Sequence, residues 1–426
     1  MFGYSRKKTL ITFNKIIMSD KSKIGLFGYG CVGQGLHDVL NNSKGFTSEI
    51  SKIVVKDKTK KRRLNPDVFV YDKSEILLDK DVNLVVELID DADAAYHIVK
   101  QALINGKDVV SANKKLIAEN YEELVGLQEK HNVALLYEAS CCGSIPIIRN
   151  LEEYYDNELL NSVSGIFNGS SNYILSKVIN DGQDYDQALV QAQALGFAES
   201  DPTLDVGGYD AKYKLVIISG HAYGVFIKPE QVFNYGIQNL KPEDIEFAKK
   251  NNYKIKLIAT VQKIDDNKIS AFVIPQFVDA DNLLYNVENE FNGVTVEAAF
   301  SEKQLFIGKG AGGHPTGSAV LSDISANSYN YRYEYKKSKQ KGKYIFSNNV
   351  KVEVYARFNS EETIGKLKFE NIKEKGNGFI VGSVALTDLI EQKETLEKEG
   401  VFIASTGEVN ALHTVFKNKE KALVNA

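Results

Sequence analysis

Residues 23–40 read KIGLFGYGCVGQGLHDVL, where an alternating apolar strand enters Gly28-x-Gly30-x-x-Gly33 and leaves with Leu36, Val39 and Leu40 at helical spacing. Strand, tight turn and helix in that order restrict the fold severely, because they open a βαβ unit. The glycines have separate tasks: Gly28 makes the turn, Gly30 lets the backbone approach a pyrophosphate, and Gly33 allows helix to pack closely on strand. Amides at the start of the helix favour phosphate charge. Gly28, Gly30, Cys31, Val32 and Gly33 therefore form a candidate cofactor-binding loop for a dinucleotide, with Cys31 a small packing residue in it.

A second strand, SKIVVKD, ends in Lys56-Asp57 ahead of a basic run from Lys58 to Arg63. An acid at this strand tip would bond the ribose 2′-hydroxyl of NAD, whereas cations would pair with the 2′-phosphate of NADP. Both are present. Lys56 and the Lys60 to Arg63 cluster favour NADP, with NAD possible and a solvated loop the plain reading of the run. DVNLVVELI supplies another strand, DADAAYHIVKQALINGK a helix closed by Asn105-Gly106, DVVSANKKL a strand with Lys114 at its end, and VALLYEA one more. This alternation predicts an α/β fold, a Rossmann-type doubly wound parallel sheet over residues 21–138, with ligands beyond the carboxyl ends of its strands.

The 426 residues, 43% hydrophobic and 25% charged, are enough for two or three domains. A net charge of -4 gives no footprint for nucleic acid, and no run approaches the roughly 18 apolar residues of a membrane span. Cys31, Cys141 and Cys142 fit neither a disulfide framework nor a zinc spacing, which points to a reducing cytoplasm. Arg6, Lys7, Lys8 and Lys15 give residues 1–17 the look of a weak targeting segment, but Met18-Ser19-Asp20 fits an alternative start, with residues 1–20 an N-terminal extension.

CCGSIPIIRNL opens a second segment, and SVSGIFNGSSNYILSKV reads as strand, turn and helix. Its turn, Asn168-Gly169-Ser170-Ser171, suits a carboxylate or an amino-acid backbone, and equally an ordinary hydrogen-bonded turn. DYDQALVQAQALG is an amphipathic helix ending at Gly196, so AESDPTLDVGGYDAKYK begins in a loop. Past Gly207-Gly208 a helix resumes, in which Asp210 and Lys214 share a face and Lys212 points elsewhere. Taken alone, that is a charged surface loop with one helical ion pair.

Taken in order, GYGCVG, VVELI, GKDVVSANKKLIA, LLYEAS with GSIPII, GIFNGSSNYIL, ALGFAESDPTLDVGGYDAKYKL and GKGAGGHPTGSAVLSD resemble the homoserine dehydrogenases over roughly residues 23–325. The resemblance implies reversible NAD(P)H-dependent reduction of L-aspartate 4-semialdehyde to L-homoserine, a step towards threonine, methionine and isoleucine. It implies that Glu199, Asp205 and Asp210 hold the amino acid, that Gly169 and Ser170 touch it, and that Lys114 and Lys214 reach the reacting carbon's polar groups. Lys214 matches the family's proton donor, oriented by Asp210, with Lys114 favouring its neutral form; Lys114 and Gly312 also border the cofactor. A monovalent cation such as Na+ would sit on Glu138 and the carbonyls of Cys141, Gly143 and Ile145. Residues 139–307 would form an α+β catalytic and dimerisation domain of a homodimer or homotetramer, and about 308–330 would return to complete the nucleotide domain.

Several positions depart from the family pattern. Asp90-Asp91 replaces Gly-Gly, Ser144 a glycine, Ser170 a threonine and Gly317 an alanine, and His314 is expected to pack or hydrogen-bond rather than react. YNYRYEYKKSKQKGKY reads as a linker or edge strand before a small α+β module, residues 331–426, placed where some relatives carry an amino-acid-sensing ACT domain and read here as a structural appendage. Two rivals remain: another NAD(P)-dependent amino-acid dehydrogenase, which gives no reason for paired Lys114 and Lys214, and a silent nucleotide sensor, which needs no acidic cluster.

Overall fold

The computed structural model describes residues 23–44, 48–157, 159–340 and 343–411; the N-terminal extension expected over 1–20 lies outside them. Six parallel strands, β1 (Lys23–Phe27), β2 (Glu49–Val54), β3 (Phe69–Val70), β4 (Leu84–Glu87), β5 (Asp108–Ser111) and β6 (Leu135–Leu136), form one sheet in the order β3-β2-β1-β4-β5-β6. That is the Rossmann order, with a switch point between β1 and β4. Strand β4 is buried along its whole length, as expected of a strand covered on both faces. Helices α1 (Cys31–Asn42), α2 (Ala92–Ile104), α3 (Lys114–Glu119) and α4 (Tyr121–His131) follow the strands.

Among the described residues the second sheet has eleven strands. Its main path is β11-β10-β7-β8-β9-β15-β12-β14-β13, where β7 is Leu160–Ile166, β8 Lys254–Lys263, β9 Lys268–Val278, β10 Phe291–Ala298 and β11 Glu302–Lys309. The last four in chain order are β12 (Val350–Arg357), β13 (Glu370–Gly376), β14 (Phe379–Ala385) and β15 (Phe402–Ala411). Helices α5 (Gly169–Asn180), α6 (Tyr185–Ala194), the short α7 (Thr203–Val206) and α8 (Tyr209–Tyr223) lie between β7 and β8. Helix α8 is buried on nearly every side, so its sequence shows little amphipathic pattern. Gly208 and Gly224, both at positive φ, bound it.

Helix α9 (Pro242–Lys250) precedes β8, and α10 (Gly313–Asn327) follows β11 and crosses α1. A Cβ on Gly35 would stand 2.0 Å from the Gly313 carbonyl oxygen, and one on Gly317 would stand 2.6 Å from the Leu36 nitrogen. The chain thus returns to the nucleotide domain through Gly310, Gly312 and Gly313.

Beyond Asn327 the Tyr-rich segment is neither linker nor edge strand. Tyr333 and Tyr335 are buried; the Tyr137 hydroxyl lies 2.6 Å from that of Tyr335 and 2.8 Å from His221 Nε2, and the Glu152 carboxylate accepts from His221 Nδ1 at 2.6 Å. Each ring buries an apolar body while its hydroxyl finds a partner, a use of tyrosine that local pattern does not show. The C-terminal region runs β12, α11 (Glu361–Ile364), β13, β14, α12 (Leu386–Lys398), β15, with antiparallel order β15-β12-β14-β13. This is the βαββαβ ferredoxin-like arrangement. It continues the second sheet through β9 and β15 and is anchored by Arg357, whose Nε donates to Asp244 of α9 at 2.9 Å, both side chains buried.

Candidate active site

The cofactor loop is assembled as the glycine spacing requires. Gly28 has φ +93°, and a Cβ there would meet the Leu88 carbonyl oxygen at 2.6 Å; one on Gly33 would meet that of Gly28 at 2.5 Å, whereas one on Gly30 would meet nothing within 4 Å. Gly30 thus opens onto a cleft of about 950 Å³ lined also by Cys31, Val32, Lys56, Asp57 and Asp91. The Lys56 ammonium pairs with Asp91 at 3.3 Å, and Asp91 caps α2 by accepting from the Ala94 amide at 3.0 Å. The acid that departs from the family pattern therefore holds a helix end and a cofactor-cleft lysine together. Asp57 turns inward on its own loop, accepting from the Thr59 amide and hydroxyl, both at 2.7 Å. Arg63 pairs with Asp38 of α1 at 2.6 Å, and His314 Nε2 lies 3.2 Å from the same carboxylate, an exposed contact away from the acidic cluster.

Gly312 has φ +116° and precedes α10, whose Gly313 sits against Cys31. Beneath the carboxyl ends of β4 and β5, buried Glu87 accepts from the Ile89 amide at 2.7 Å and the Ser111 hydroxyl at 2.6 Å. Ser111 accepts from the Asn113 amide at 3.1 Å, and Asn113 caps α3 through the Leu116 amide at 3.0 Å. This chain of bonds fixes the helix whose first residue is Lys114. Burial pushes Glu87 up to about 7.

The second domain meets Lys114 with the opening turns of α8. The two oxygens of buried Asp210 take Lys114 Nζ at 2.9 Å and Lys214 Nζ at 2.7 Å. Lys214 also donates to the Phe167 carbonyl at 2.6 Å, which leaves one of its three protons to donate elsewhere. Asn168 donates to Asp205 at 2.7 Å and Asp210 at 3.0 Å, and its own oxygen caps α5 at the Ser171 amide. Burial would raise Asp210, but the Lys114 and Lys214 charges outweigh it and hold this carboxyl well below the usual range. Asp205 is raised, by burial first and then by Asp210. Lys114 is raised, chiefly by Asp210.

Other residues singled out in the sequence stand further from this centre. Glu199 is exposed on the loop after α6 and acts on Lys114 only through its charge. Ser170 gives its hydroxyl to the Phe197 carbonyl, and Gly169 is pressed against the Glu290 carbonyl, where a Cβ would stand at 2.5 Å. Asp201 shapes its loop by accepting from the Thr203 amide and hydroxyl. Lys212, as expected, turns away, towards Asn234.

Glu138 is buried and accepts from the Ile148 amide at 2.8 Å and the Arg149 amide at 2.9 Å. Asp323, also buried, accepts from the Glu138 amide at 2.9 Å and pairs with Arg149 at 3.1 Å. Burial, then the Asp323 charge, pushes Glu138 up to about 8, and burial pushes Asp323 up to about 7. The turn that follows has two left-handed residues in a row, Cys142 at φ +55° and Gly143 at φ +59°, and Ser144 ties it to the Lys309 carbonyl at 3.0 Å. Cys141 and Cys142 are buried free thiols, both pushed up by burial. Sequence reasoning missed Asn292 of β10, which donates to the same Phe167 carbonyl as Lys214, at 3.1 Å. It also missed Asp323, Arg149 and Glu87; only Glu87 left a trace, as a lone acid ending an apolar strand.

A glycine-loop cleft on a Rossmann sheet, together with a buried carboxylate that joins Lys114 of that domain to Lys214 of the next, defines the class as an NAD(P)-dependent oxidoreductase. The family model for the homoserine dehydrogenase NAD-binding domain matches residues 28–138, and that for homoserine dehydrogenase matches 146–325. The chain belongs to the homoserine dehydrogenase family. It is 39% identical over 309 residues to the homoserine dehydrogenase of Neisseria gonorrhoeae, covering 71% of each chain. Among solved structures it is similar to a homoserine dehydrogenase from Thiobacillus denitrificans, with TM-score 0.78 and 27% identity over 91% of this chain and 98% of that one. A hyperthermophilic archaeal homoserine dehydrogenase in complex with NADPH is similar at TM-score 0.63 and 27% identity, over 74% of this chain and 99% of that one.

Proposed function

We propose that this chain reduces L-aspartate 4-semialdehyde to L-homoserine reversibly, with Lys214 as proton donor and Asp210 and Lys114 as its partners. The observation that carries the reading is the single carboxylate held between two ammonium groups, one of them on Lys114, next to Asn113, whose side chain donates to the cleft-lining Ile89 carbonyl at 3.0 Å. The cofactor, when bound, supplies the hydride that reduces the aldehyde carbon. Gly28, Gly30, Cys31, Val32, Gly33, Lys56, Lys114 and Gly312 are the residues to hold it. Two of the Lys214 protons are anchored on Phe167 and Asp210, so the third is free to pass to the carbonyl oxygen as negative charge develops there. In the reverse direction Lys214 receives the hydroxyl proton. Asp205 and Asp210, with Glu199 at the rim, offer negative charge to the substrate ammonium, and Gly169 and Ser170 offer backbone amides at the start of α5. Asp210 bridges both lysines and, with the Phe167 carbonyl, fixes where the Lys214 ammonium points.

NADP is the preferred cofactor in this reading, since Asp57 is occupied within its own loop and Lys56 and Lys60 line the cleft. A monovalent cation such as Na+ fits beside Glu138: two buried carboxylates, Glu138 and Asp323, face one guanidinium, and the Cys141, Gly143 and Ile145 carbonyls belong to the adjoining turn. It would neutralise that excess and stiffen the turn; oxygen donors suit a hard cation. A homodimer or homotetramer in a reducing cytoplasm accords with the family and with three free thiols. No helix among the described residues is long and apolar enough to cross a membrane.

The test is the initial rate of nicotinamide absorbance change with L-aspartate 4-semialdehyde, using NADPH and then NADH. Lys214→Ala is expected to fold and to lose at least ~100-fold in turnover, the low end of general acid–base contributions. Near-normal turnover in that variant would remove Lys214 from the role.

A further inference from the structure

Helix α8 carries a second lysine that the chemistry does not use. Lys212 is only 9% exposed, yet its ammonium, with three protons to give, has one acceptor among the described residues, Oδ1 of Asn234 at 2.9 Å. No carboxylate among the described residues lies within ion-pair distance of it. Its Nζ stands 4.7 Å from the centre of the Tyr209 ring, and Nζ of Lys393, from α12 of the C-terminal module, stands 4.9 Å from the same centre. Lys393 also donates to the Tyr209 hydroxyl at 3.4 Å and has Glu397 at 3.9 Å. Two ammonium groups from different parts of the molecule thus converge on one tyrosine.

They converge on open space. Tyr209, Lys212, Glu230, Phe346, Ile390 and Lys393 line a cleft of about 510 Å³. A buried cation with only neutral partners is costly, and the cost appears in Lys212, which burial and then the Lys393 charge push down to about 8 while Glu230 pulls weakly the other way. Both lysines line the cleft, so an anion in it would find cationic walls. Glu230 at the wall and Glu397 beside Lys393 disfavour a doubly charged guest, and Phe346 with Ile390 offers it an apolar wall.

We propose that the cleft between α8 and α12 binds a small monocarboxylate, its carboxylate on Lys212 and Lys393 and its hydrocarbon end against Phe346 and Ile390. The site is distinct from the oxidoreductase centre: Tyr209 lines it, whereas Asp210, the next residue, turns to Lys114 and Lys214. A guest there touches the turn that carries Asp210.

Butyrate is the probe, titrated calorimetrically into the full chain and exchanged for chloride at constant sodium. Saturable binding is expected, weakened about tenfold by Lys212→Met and by Lys393→Met, as for loss of a hydrogen bond to a charged group. Lys393→Met keeps the test decisive should Lys212→Met fail to fold, because Lys393 lies on the module. Absence of saturable binding overturns the proposal, and so does binding that survives undiminished in Lys393→Met, which would place butyrate in the substrate site. Phosphate that binds through both lysines where butyrate does not would make the cleft an inorganic-anion site and overturn the carboxylate assignment.

Discussion

At the scale of single residues, the molecule is organised by carboxylates that each serve two partners. Asp210 divides its oxygens between Lys114 and Lys214 and so binds the nucleotide domain to α8. Asp91 divides its own between the first turn of α2 and Lys56. The second case bears on cofactor choice, because a lysine paired to an acid is less available to a ribose phosphate. Asp91→Asn keeps an oxygen for the Ala94 amide while releasing Lys56. The pair is exposed, with side-chain exposures of 79% and 49%, so its effect is modest. A fall in KM for NADPH of up to about fivefold is expected, the range of a surface ion pair, with KM for NADH unchanged. Steady-state kinetics with both cofactors checks this, and an equal change for the two would show that Lys56 does not reach the ribose phosphate.

At the scale of elements, closeness of approach decides what a substitution does. In the crossing of α1 and α10 a Cβ on Gly317 would meet backbone at 2.6 Å, whereas one on Gly126, inside α4, would meet nothing within 4 Å. Gly317→Ala is expected to lower stability by ~1–3 kcal/mol, the cost of overpacking. Gly126→Ala is expected to raise it by ~0.5–1 kcal/mol, since alanine gives up less conformational entropy in a helix. Thermal melts of the two variants should move in opposite directions; movement of both upward would mean that the crossing relaxes freely. The same contrast explains what the sequence made legible. Strands β1 and β4 and helices α1, α2 and α6 were readable because period and glycine punctuation are local, and α8 because Gly207-Gly208 marks its start. Lys114, Asp210 and Lys214 were readable as a group only through the family resemblance, since residues about a hundred positions apart share no local pattern. Asn292 left no signal, being one polar residue in a strand whose partner is the Phe167 carbonyl. The Tyr-rich segment misled because composition there resembles a linker, while its buried position depends on Tyr137, Glu152 and His221 from elsewhere in the chain.

At the scale of the whole molecule, three buried carboxyls set how stability responds to pH. Glu87 and Asp323 are raised to about 7 and Glu138 to about 8, all mainly by burial, so the folded chain holds their protons more tightly than the unfolded chain does. Their contribution is complete below the ordinary carboxyl range and is lost as pH rises through about 7 to 8. Asp210 has the opposite sign: it is held low, its contribution is present above the ordinary range, and it is lost as pH falls towards its own depressed value. Denaturation midpoints measured from about pH 5 to about pH 8 should therefore decline, and Glu87→Gln, which imitates the protonated acid between Ile89 and Ser111, should flatten part of that decline. A cation beside Glu138 adds a condition, because it favours the ionised form and so removes the penalty for losing that proton. At the upper end of the range, the protein in sodium chloride should be more stable than in tetramethylammonium chloride at equal ionic strength, with the difference vanishing near pH 5, where the ionised form that holds the ion is depleted. Identical midpoints in the two salts across the whole range would leave Glu138 as a purely structural anchor and remove the cation from this fold.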